Sequence, residues 1–131
     1  MEFSAGTVKK IDDYIIEIYF DKDGEIDQVM AIDILNKIIT LSLGDPHALL
    51  YNFNDKNVLL SDIAKKLSGV RNYNNANLIS RAMFSKNIVS NMESTHYIKN
   101  AHPQAETRLF NDREKALTWL NVKVKAFMQP D

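Results

Sequence analysis

One short stretch concentrates the residues that could carry chemistry or regulation. Residues 51–68 read YNFNDKNVLLSDIAKKLS: an apolar run breaks at an Asn/Asp-rich turn, and Ser61 stands where a helical pattern begins. A serine at such a position can be phosphorylated, or it can cap the helix by accepting a backbone N–H bond worth about 1 kcal/mol. The helix N-terminus would stabilise a phosphate there, whereas Asp62 would repel it. We predict Ser61, Asp62 and Asn57 as the regulatory or partner-binding residues.

A second candidate chemistry is that of a receiver domain, with Asp55 as the phosphoacceptor. Asp55 follows a strand-like run, and Lys86 follows the next one. Receiver chemistry also needs an acidic pair after the first parallel strand to hold magnesium, and a lysine after the last strand. Asp12 and Asp13 precede a strand instead, and the last strand is followed by no lysine. The pattern therefore argues against a receiver.

Metal, nucleotide and nucleophile chemistry lack the residue types they need. The chain has no cysteine, and its histidines, at positions 47, 96 and 102, have none of the spacings typical of metal ligands. No glycine-rich phosphate loop or nucleophile elbow is present, and there are only four glycines. We expect no cofactor, no metal and no enzymatic activity.

Length and composition indicate a folded domain with a hydrophobic core. The 131 residues fit a single domain over 1–131, with 45% apolar and 25% charged residues. A net charge of -1 argues against nucleic acid as a partner. Neither a secretory signal nor an apolar run near the ~18 residues of a membrane span is visible, so we expect a cytoplasmic protein. The abundance of Ile, Asn and Lys is consistent with a bacterial source.

The periodicity of apolar residues predicts the elements that must position these side chains. An antiparallel, half-exposed strand pair is predicted over 3–9 and 13–20, with Glu17 on the outer face and Ile16 and Ile18 on the inner one. A helix follows from Glu25 to Leu43. Further strands are predicted over 47–53, 78–85 and 106–110, and further helices over 59–69, 86–102 and from 112 onwards.

The order of these elements, ββαβαβαβα, predicts a mixed sheet. Strands that are separated by helices of this length must pair in parallel through right-handed crossovers. Four helices would then pack on a sheet whose first two strands are antiparallel. In the last helix Asn111 is placed as the N-cap, Glu114 as its capping-box partner and Trp119 as a packing anchor.

The segment ETRLFNDREKALTWL resembles the C-terminal signature of the SpoIIAA-like group, relatives of the STAS domains of bacterial anti-sigma-factor antagonists. In that signature an Arg-x-Phe strand, an Asn/Asp turn and an Ala-Leu-x-Trp-Leu helix close the domain. The preceding ISRAMFSKNIVSNM is similar to the strand and helix before it. The residues that carry the match are Arg108, Phe110, Asp112, Ala116, Leu117, Trp119 and Leu120.

The resemblance implies an antagonist-like fold but departs from it at the phosphorylation motif. Signalling members carry Asp-Ser-Ser-Gly, whose serine is phosphorylated by a partner kinase, where this chain has Leu59, Leu60, Ser61 and Asp62. We therefore expect a protein-interaction module without an intact phospho-switch. Its partner surface would lie near the helix starts at 60 and 86.

A carrier of a small apolar ligand or lipid is the alternative, because the SpoIIAA-like group resembles Sec14-type lipid-binding folds. Four methionines are adaptable enough to line a cavity: Met30, Met83, Met92 and Met128. Self-association, as a homodimer through the edge of the first hairpin or an apolar helix face, also stays open.

Overall fold

The structure, a computed structural model, describes residues 1–61, 77–87 and 105–129. Eight strands and two helices lie within these ranges, numbered here in chain order. The strands are β1 (Glu2–Phe3), β2 (Gly6–Lys10), β3 (Ile15–Phe20), β4 (Gly24–Ile26), β5 (His47–Asn54), β6 (Val58–Leu60), β7 (Leu78–Ser85) and β8 (Thr107–Phe110). The helices are α1 (Gln28–Ser42) and α2 (Arg113–Met128).

Six strands form one mixed sheet in the order β1-β2-β3-β5-β7-β8. The first three pair antiparallel, and β3, β5, β7 and β8 pair in parallel. The predicted mixed sheet with an antiparallel pair at its start is therefore confirmed. The strand order follows the chain order, because each parallel strand is added beside the previous one.

A second, two-stranded parallel sheet continues beyond the carboxyl ends of β3 and β5. It joins β4 to β6, with Gly24 opposite Val58 and Ile26 opposite Leu60. Neither strand was predicted. The sequence had placed residues 24–26 at the turn and start of the first helix and residues 59–60 in the second, but both runs are extended and paired with each other. Three residues are too few to display a period of two.

The prediction that β3 is half exposed is wrong. Ile16, Ile18 and Phe20 pack on the side of α1, whereas Ile15 packs with Ala116, Leu120 and Val124 of α2. Since β3 is an interior strand with a helix on each side of the sheet, both of its faces lose water. The alternation of its side chains was predicted correctly. The face that was predicted to be exposed packs instead against a second core, which contains the inner residues of α2.

Helix α1 begins later than predicted, at Gln28 rather than Glu25. The Asp27 side chain accepts a 2.9 Å hydrogen bond from the Met30 N–H and so caps the first turn. At the other end Leu43 adopts a left-handed conformation with φ 54°, and Gly44 follows with φ 77°. The predicted stop at Gly44 is confirmed, because two left-handed residues cannot continue a helix.

Helix α2 is capped one residue later than predicted. The cap is Asp112, not Asn111, and its carboxylate accepts a 2.9 Å bond from the Glu114 N–H. Glu114 then stands too early in the helix for a capping box. Ala116, Leu120 and Val124 form its buried face.

The number of helices is the part of the predicted fold that is not shown. Two helices are described, and neither is long and apolar enough to cross a membrane. Of the predicted second and third helices, residues 62–69 and 88–102 lie outside the described ranges.

We predict that Gly6→Ala destabilises the domain strongly. A Cβ at Gly6 would lie 1.8 Å from the Tyr19 backbone oxygen, so β2 and β3 would have to move apart. Overpacking of this kind costs roughly 1–3 kcal/mol or more. Urea unfolding followed by circular dichroism measures the loss. The exposed Ser4→Ala is the control, and equal midpoints for the two variants would contradict the prediction.

Candidate functional site

A buried carboxylate at the centre of the sheet joins three elements. Glu17 of β3 accepts two 3.0 Å hydrogen bonds from the Nε and Nη2 atoms of Arg113, the first residue of α2. The Asn52 Nδ2 atom of β5 donates a third bond, of 2.9 Å, to the same carboxylate. The Glu17 side chain is only 5% exposed, whereas that of Arg113 is 37% exposed. The bidentate geometry is the strong form of an arginine–carboxylate pair.

These contacts keep Glu17 ionised. Burial alone would raise the pKa of Glu17, but the hydrogen bonds from Arg113 and Asn52, together with the Arg113 charge, outweigh it and lower the pKa. The bond to Glu17 in turn raises the pKa of Arg113. A carboxylate that is charged and bound on both oxygens at neutral pH is poorly placed to transfer protons. Its evident role is to attach α2 to the sheet.

Polar groups at the carboxyl ends of the strands bind one another. This edge is where open parallel sheets usually hold their ligands. Asn54, in a left-handed conformation with φ 55°, donates a 3.1 Å bond from Nδ2 to the Tyr19 hydroxyl. Its carbonyl accepts a 2.7 Å bond from the Lys86 N–H. The ends of β3, β5 and β7 are thereby joined.

A second set of bonds joins the turns that follow β5 and β7. The Asn87 N–H donates a 3.0 Å bond to the Ser85 hydroxyl, and Asn87 Nδ2 donates a 3.3 Å bond to the Asp55 carbonyl. The Asp55 carboxylate itself is exposed, 3.6 Å from Lys56. Asp12 lies at the opposite edge, where it accepts bonds from the N–H groups at the start of β3. Asp12, which the sequence offered as part of the acidic pair of a receiver, therefore does not lie beside Asp55.

Two of the predicted regulatory residues, Asn57 and Ser61, lie at the two ends of β6 and are not brought together. The Asn57 N–H donates a 2.8 Å bond to the Asp23 carboxylate, and the Asn57 carbonyl accepts a 3.0 Å bond from Gly24. The Ser61 N–H donates a 3.1 Å bond to the Ile26 carbonyl. Asp62 and the helix predicted to follow lie outside the described residues, so the capping role of Ser61 stays a prediction.

The residues that carry the family resemblance separate into a buried set and a surface set. Ala116 and Leu120 are fully buried, and Asp112 caps α2. Arg108, in contrast, is exposed, and its guanidinium lies 5.4 Å from the centre of the half-buried Trp119 ring. The packing role predicted for Trp119 holds for one part of the ring, while another part faces cationic side chains at the surface.

Two neighbours complete the surroundings of the Trp119 ring. Lys123 Nζ lies 5.5 Å from its centre, and the Phe110 ring centre lies 5.6 Å away. Phe110 and Trp119 both border the core on the α2 side of the sheet. The ring therefore contacts one aromatic ring and two cationic side chains.

His47 is a buried base at the amino end of β5. Its Nδ1 atom donates a 2.9 Å bond to the Asp45 carbonyl, which leaves Nε2 unprotonated and without a partner in the described part of the chain. Burial lowers the pKa of His47, and the bond to Asp45 opposes this only in part. The other two histidines lie outside the described ranges. Within those ranges, no group of three or more His, Asp or Glu side chains could hold a metal ion.

A groove of about 420 Å³ lies at the first turns of α1. It is open to solvent at the surface. Val29 and Ile32 beside it are 78% and 41% exposed. Its lining residues are Ser4, Asp27, Val29, Met30, Ile32, Asp33 and Asn36.

The buried pair of Glu17 and Arg113 was not predicted from the sequence. The two residues are 96 positions apart, so no local pattern connects them. One signal was available: Glu17 is the single charge within the apolar run IIEIYF, and a buried acid requires a partner. Because Glu17 was predicted to lie on an exposed face, no buried partner for its carboxylate was expected.

The comparisons with known proteins give one family. The family model of a domain of unknown function, DUF7793, matches residues 9–123. The matched range runs from β2 into α2 and includes Glu17, Asn52, Arg113 and Trp119. No curated protein and no solved structure matches the chain.

We predict that Arg113→Leu lowers the free energy of unfolding by about 2 kcal/mol at pH 7. Removing one partner of a fully buried ion pair costs roughly 3–5 kcal/mol, and the solvent contact of Arg113 reduces that figure. Because the pKa of Glu17 is lowered by folding, the stability from this pair is present above the unfolded pKa and is lost as the pH falls through the folded pKa. Urea unfolding at pH 7 and pH 3 measures both effects.

The control for this prediction is Lys115→Leu, which removes an exposed positive charge from the same helical turn. It should change the stability by less than about 0.5 kcal/mol. The double variant Glu17→Met with Arg113→Leu should recover much of the loss, because no buried charge is left unpaired. Equal losses in Arg113→Leu and Lys115→Leu would contradict a structural role for the pair.

We predict that His47 makes the domain less stable in mild acid. Its folded pKa lies below the unfolded value near 6.5, so the unfolded chain binds the proton first and stability falls as the pH drops through about 6.5 towards the folded pKa. His47→Gln should flatten the slope of unfolding free energy between pH 7.5 and pH 5.5. That slope is at most about 1.4 kcal/mol per pH unit. Parallel slopes for the two proteins would refute the prediction.

Proposed function

We propose that this chain, which belongs to the DUF7793 family, a family of domains of unknown function, is a non-enzymatic protein-interaction module of STAS-like architecture. A cytoplasmic, bacterial setting is part of the proposal. The main support is the cation–π contact between Arg108 and Trp119 at the protein surface. The two side chains come from different elements, β8 and α2, and are held side by side in the free protein.

Arginine and tryptophan are the residues most enriched at the energetic centres of protein interfaces. Here the pair is already ordered, because the guanidinium lies over the ring and the ring is held by Phe110. Ordering before binding lowers the entropy lost when a partner arrives. The exposed Val122, next to Trp119 on the surface turn of α2, extends the apolar part of this patch.

The polar groups of the sheet also favour a binding role over a catalytic one, because they are already bound to one another. The buried acid at the centre of the sheet, Glu17, is occupied by Arg113 and Asn52, and the amide and hydroxyl groups at the carboxyl edge are bound to one another. Groups arranged like this stabilise a scaffold. A catalytic acid or base would need an open side towards a substrate.

A partner contact at Ser61 that does not depend on phosphorylation is also part of the proposal. Ser61, Asp62 and Asn57 are the partner-binding residues predicted from the sequence, and the residues around Ser61 differ from the phosphorylated motif of the STAS resemblance. The partner surface would then have a fixed affinity rather than one switched by a kinase.

A carrier of a small apolar ligand is the second candidate, favoured by the groove beside Met30. Its volume falls within the range of ligand sites. The groove is nevertheless open to solvent and bordered by the polar side chains of Asp27, Asp33 and Asn36, so an apolar ligand would be neither enclosed nor surrounded by apolar groups. We therefore place the interaction module first.

The proposal predicts that Arg108→Ala removes a protein partner without unfolding the domain. Arg108 is exposed and contributes no core packing, so the melting temperature of the variant should differ little from that of the unchanged protein. Affinity purification of tagged protein from its native cell, quantified by mass spectrometry, should show at least one partner reduced about fivefold or more.

The matched control is Lys10→Ala, an exposed cation on β2 far along the sheet from β8. It should retain every partner. Identical partner lists for the three proteins would contradict the module. A co-purified apolar molecule in native mass spectrometry that is lost in Met30→Asp would favour the carrier instead.

A further inference from the structure

We infer that β8 and α2 form a docking surface for an acidic protein segment that carries apolar side chains. The inference rests on the proposed interaction function and adds the chemistry of the partner. The surface consists of Arg108 on β8 and a row of side chains along α2, named here the cationic stripe: Lys115, Trp119, Lys123 and Phe127.

The cationic stripe follows from the spacing of its residues. Its members recur at every fourth position, and side chains four apart are neighbours on a helix surface. The 5.5 Å between Lys123 Nζ and the Trp119 ring centre shows that they meet. Phe127 is 50% exposed, and Val122 beside the row is 58% exposed. Cations and apolar groups therefore alternate along about 18 Å of helix.

The charges on this surface are unevenly paired. Lys123 is bound to Glu106 at 2.7 Å, and Arg113 to Glu17. For Arg108 and Lys115, the described residues place no carboxylate within ion-pair distance. Two exposed cations, Arg108 and Lys115, thus remain available near Trp119.

Arg108 is the better placed of the two for recognition. Its guanidinium lies over the ring in a cation–π contact, and a guanidinium in such a contact can donate parallel hydrogen bonds to a carboxylate. An incoming acid would find the arginine ordered and the ring ready to cover an adjacent apolar side chain. This combination fits a segment in which acidic and apolar residues alternate.

Nucleic acid and anionic membranes are the competing occupants, and the overall charge of the chain argues against them. A net charge of -1 provides no long-range attraction to a polyanion. A short acidic segment needs only the few local cations that this surface offers. Binding to nucleic acid and to anionic membranes is measured beside binding to the acidic peptide in the experiment below.

The single tryptophan of the chain is Trp119, so its fluorescence reports on this surface alone. Purified protein is titrated with a soluble 14-residue peptide in which glutamate pairs alternate with single leucines. The emission should shift with a saturable dependence on peptide concentration. Arg108→Gln should weaken binding about fivefold, and Lys115→Gln about twofold, because each removes one cation that faces the acidic peptide.

Two controls define the chemistry. Lys10→Gln should bind as the unchanged protein does, and a peptide with glutamine in place of every glutamate should give no shift. The inference is overturned if the glutamine peptide binds equally well, if Arg108→Gln has no effect, or if phosphatidylglycerol vesicles or a single-stranded oligonucleotide bind more tightly than the acidic peptide.

The peptide titration and the affinity purification test different statements, so one can fail while the other succeeds. A cellular partner that is lost in Arg108→Ala, together with no response to the acidic peptide, would refute the acidic chemistry and leave the interaction module standing. A peptide response without any Arg108-dependent partner in the cell would refute the proposed module.

Discussion

The bidentate bond between Arg113 and Glu17 is the constraint on which the other features of the domain depend. Arg113 is the first residue of α2, so its attachment to a central strand sets where that helix begins and how it lies over the sheet. Ala116, Leu120 and Val124 then close the core on that side. Asn52 completes the arrangement, since a buried carboxylate is tolerated only when its oxygens are satisfied. The outer face of α2, with Trp119, takes its orientation from the same attachment.

This arrangement separates scaffold from surface. Polar groups at the carboxyl edge hold strands and turns together, whereas the side chains of the proposed partner surface lie on β8 and α2. The residues that carry the STAS resemblance fall on both sides of that division: Leu120 belongs to the core, and Arg108 belongs to the surface. A sequence signature can therefore combine a requirement of folding with one of recognition.

Local periodicity predicted the large strands and both described helices, because each spans enough residues for its pattern of burial to emerge. It was weakest where structure depends on a distant partner. The strands β4 and β6 exist through pairing with each other, and the burial of Glu17 depends on a residue near the other end of the chain. The error of one residue at the cap of α2 has a local cause, since Asn111 and Asp112 are both good caps and only the backbone geometry selects one. The surface stack of Arg108 and Trp119 could not be predicted at all, because it joins two elements.

The small β4–β6 sheet has a mechanical consequence. The Ser61 N–H is bonded to the Ile26 carbonyl, and Ile26 immediately precedes Asp27, the residue that caps α1. A displacement of Ser61 would strain this bond directly beside the cap of α1, whose first turn borders the groove beside Val29 and Met30. The end of β6 and the start of α1, which are far apart in the chain, are thus joined through the pairing of β4 with β6.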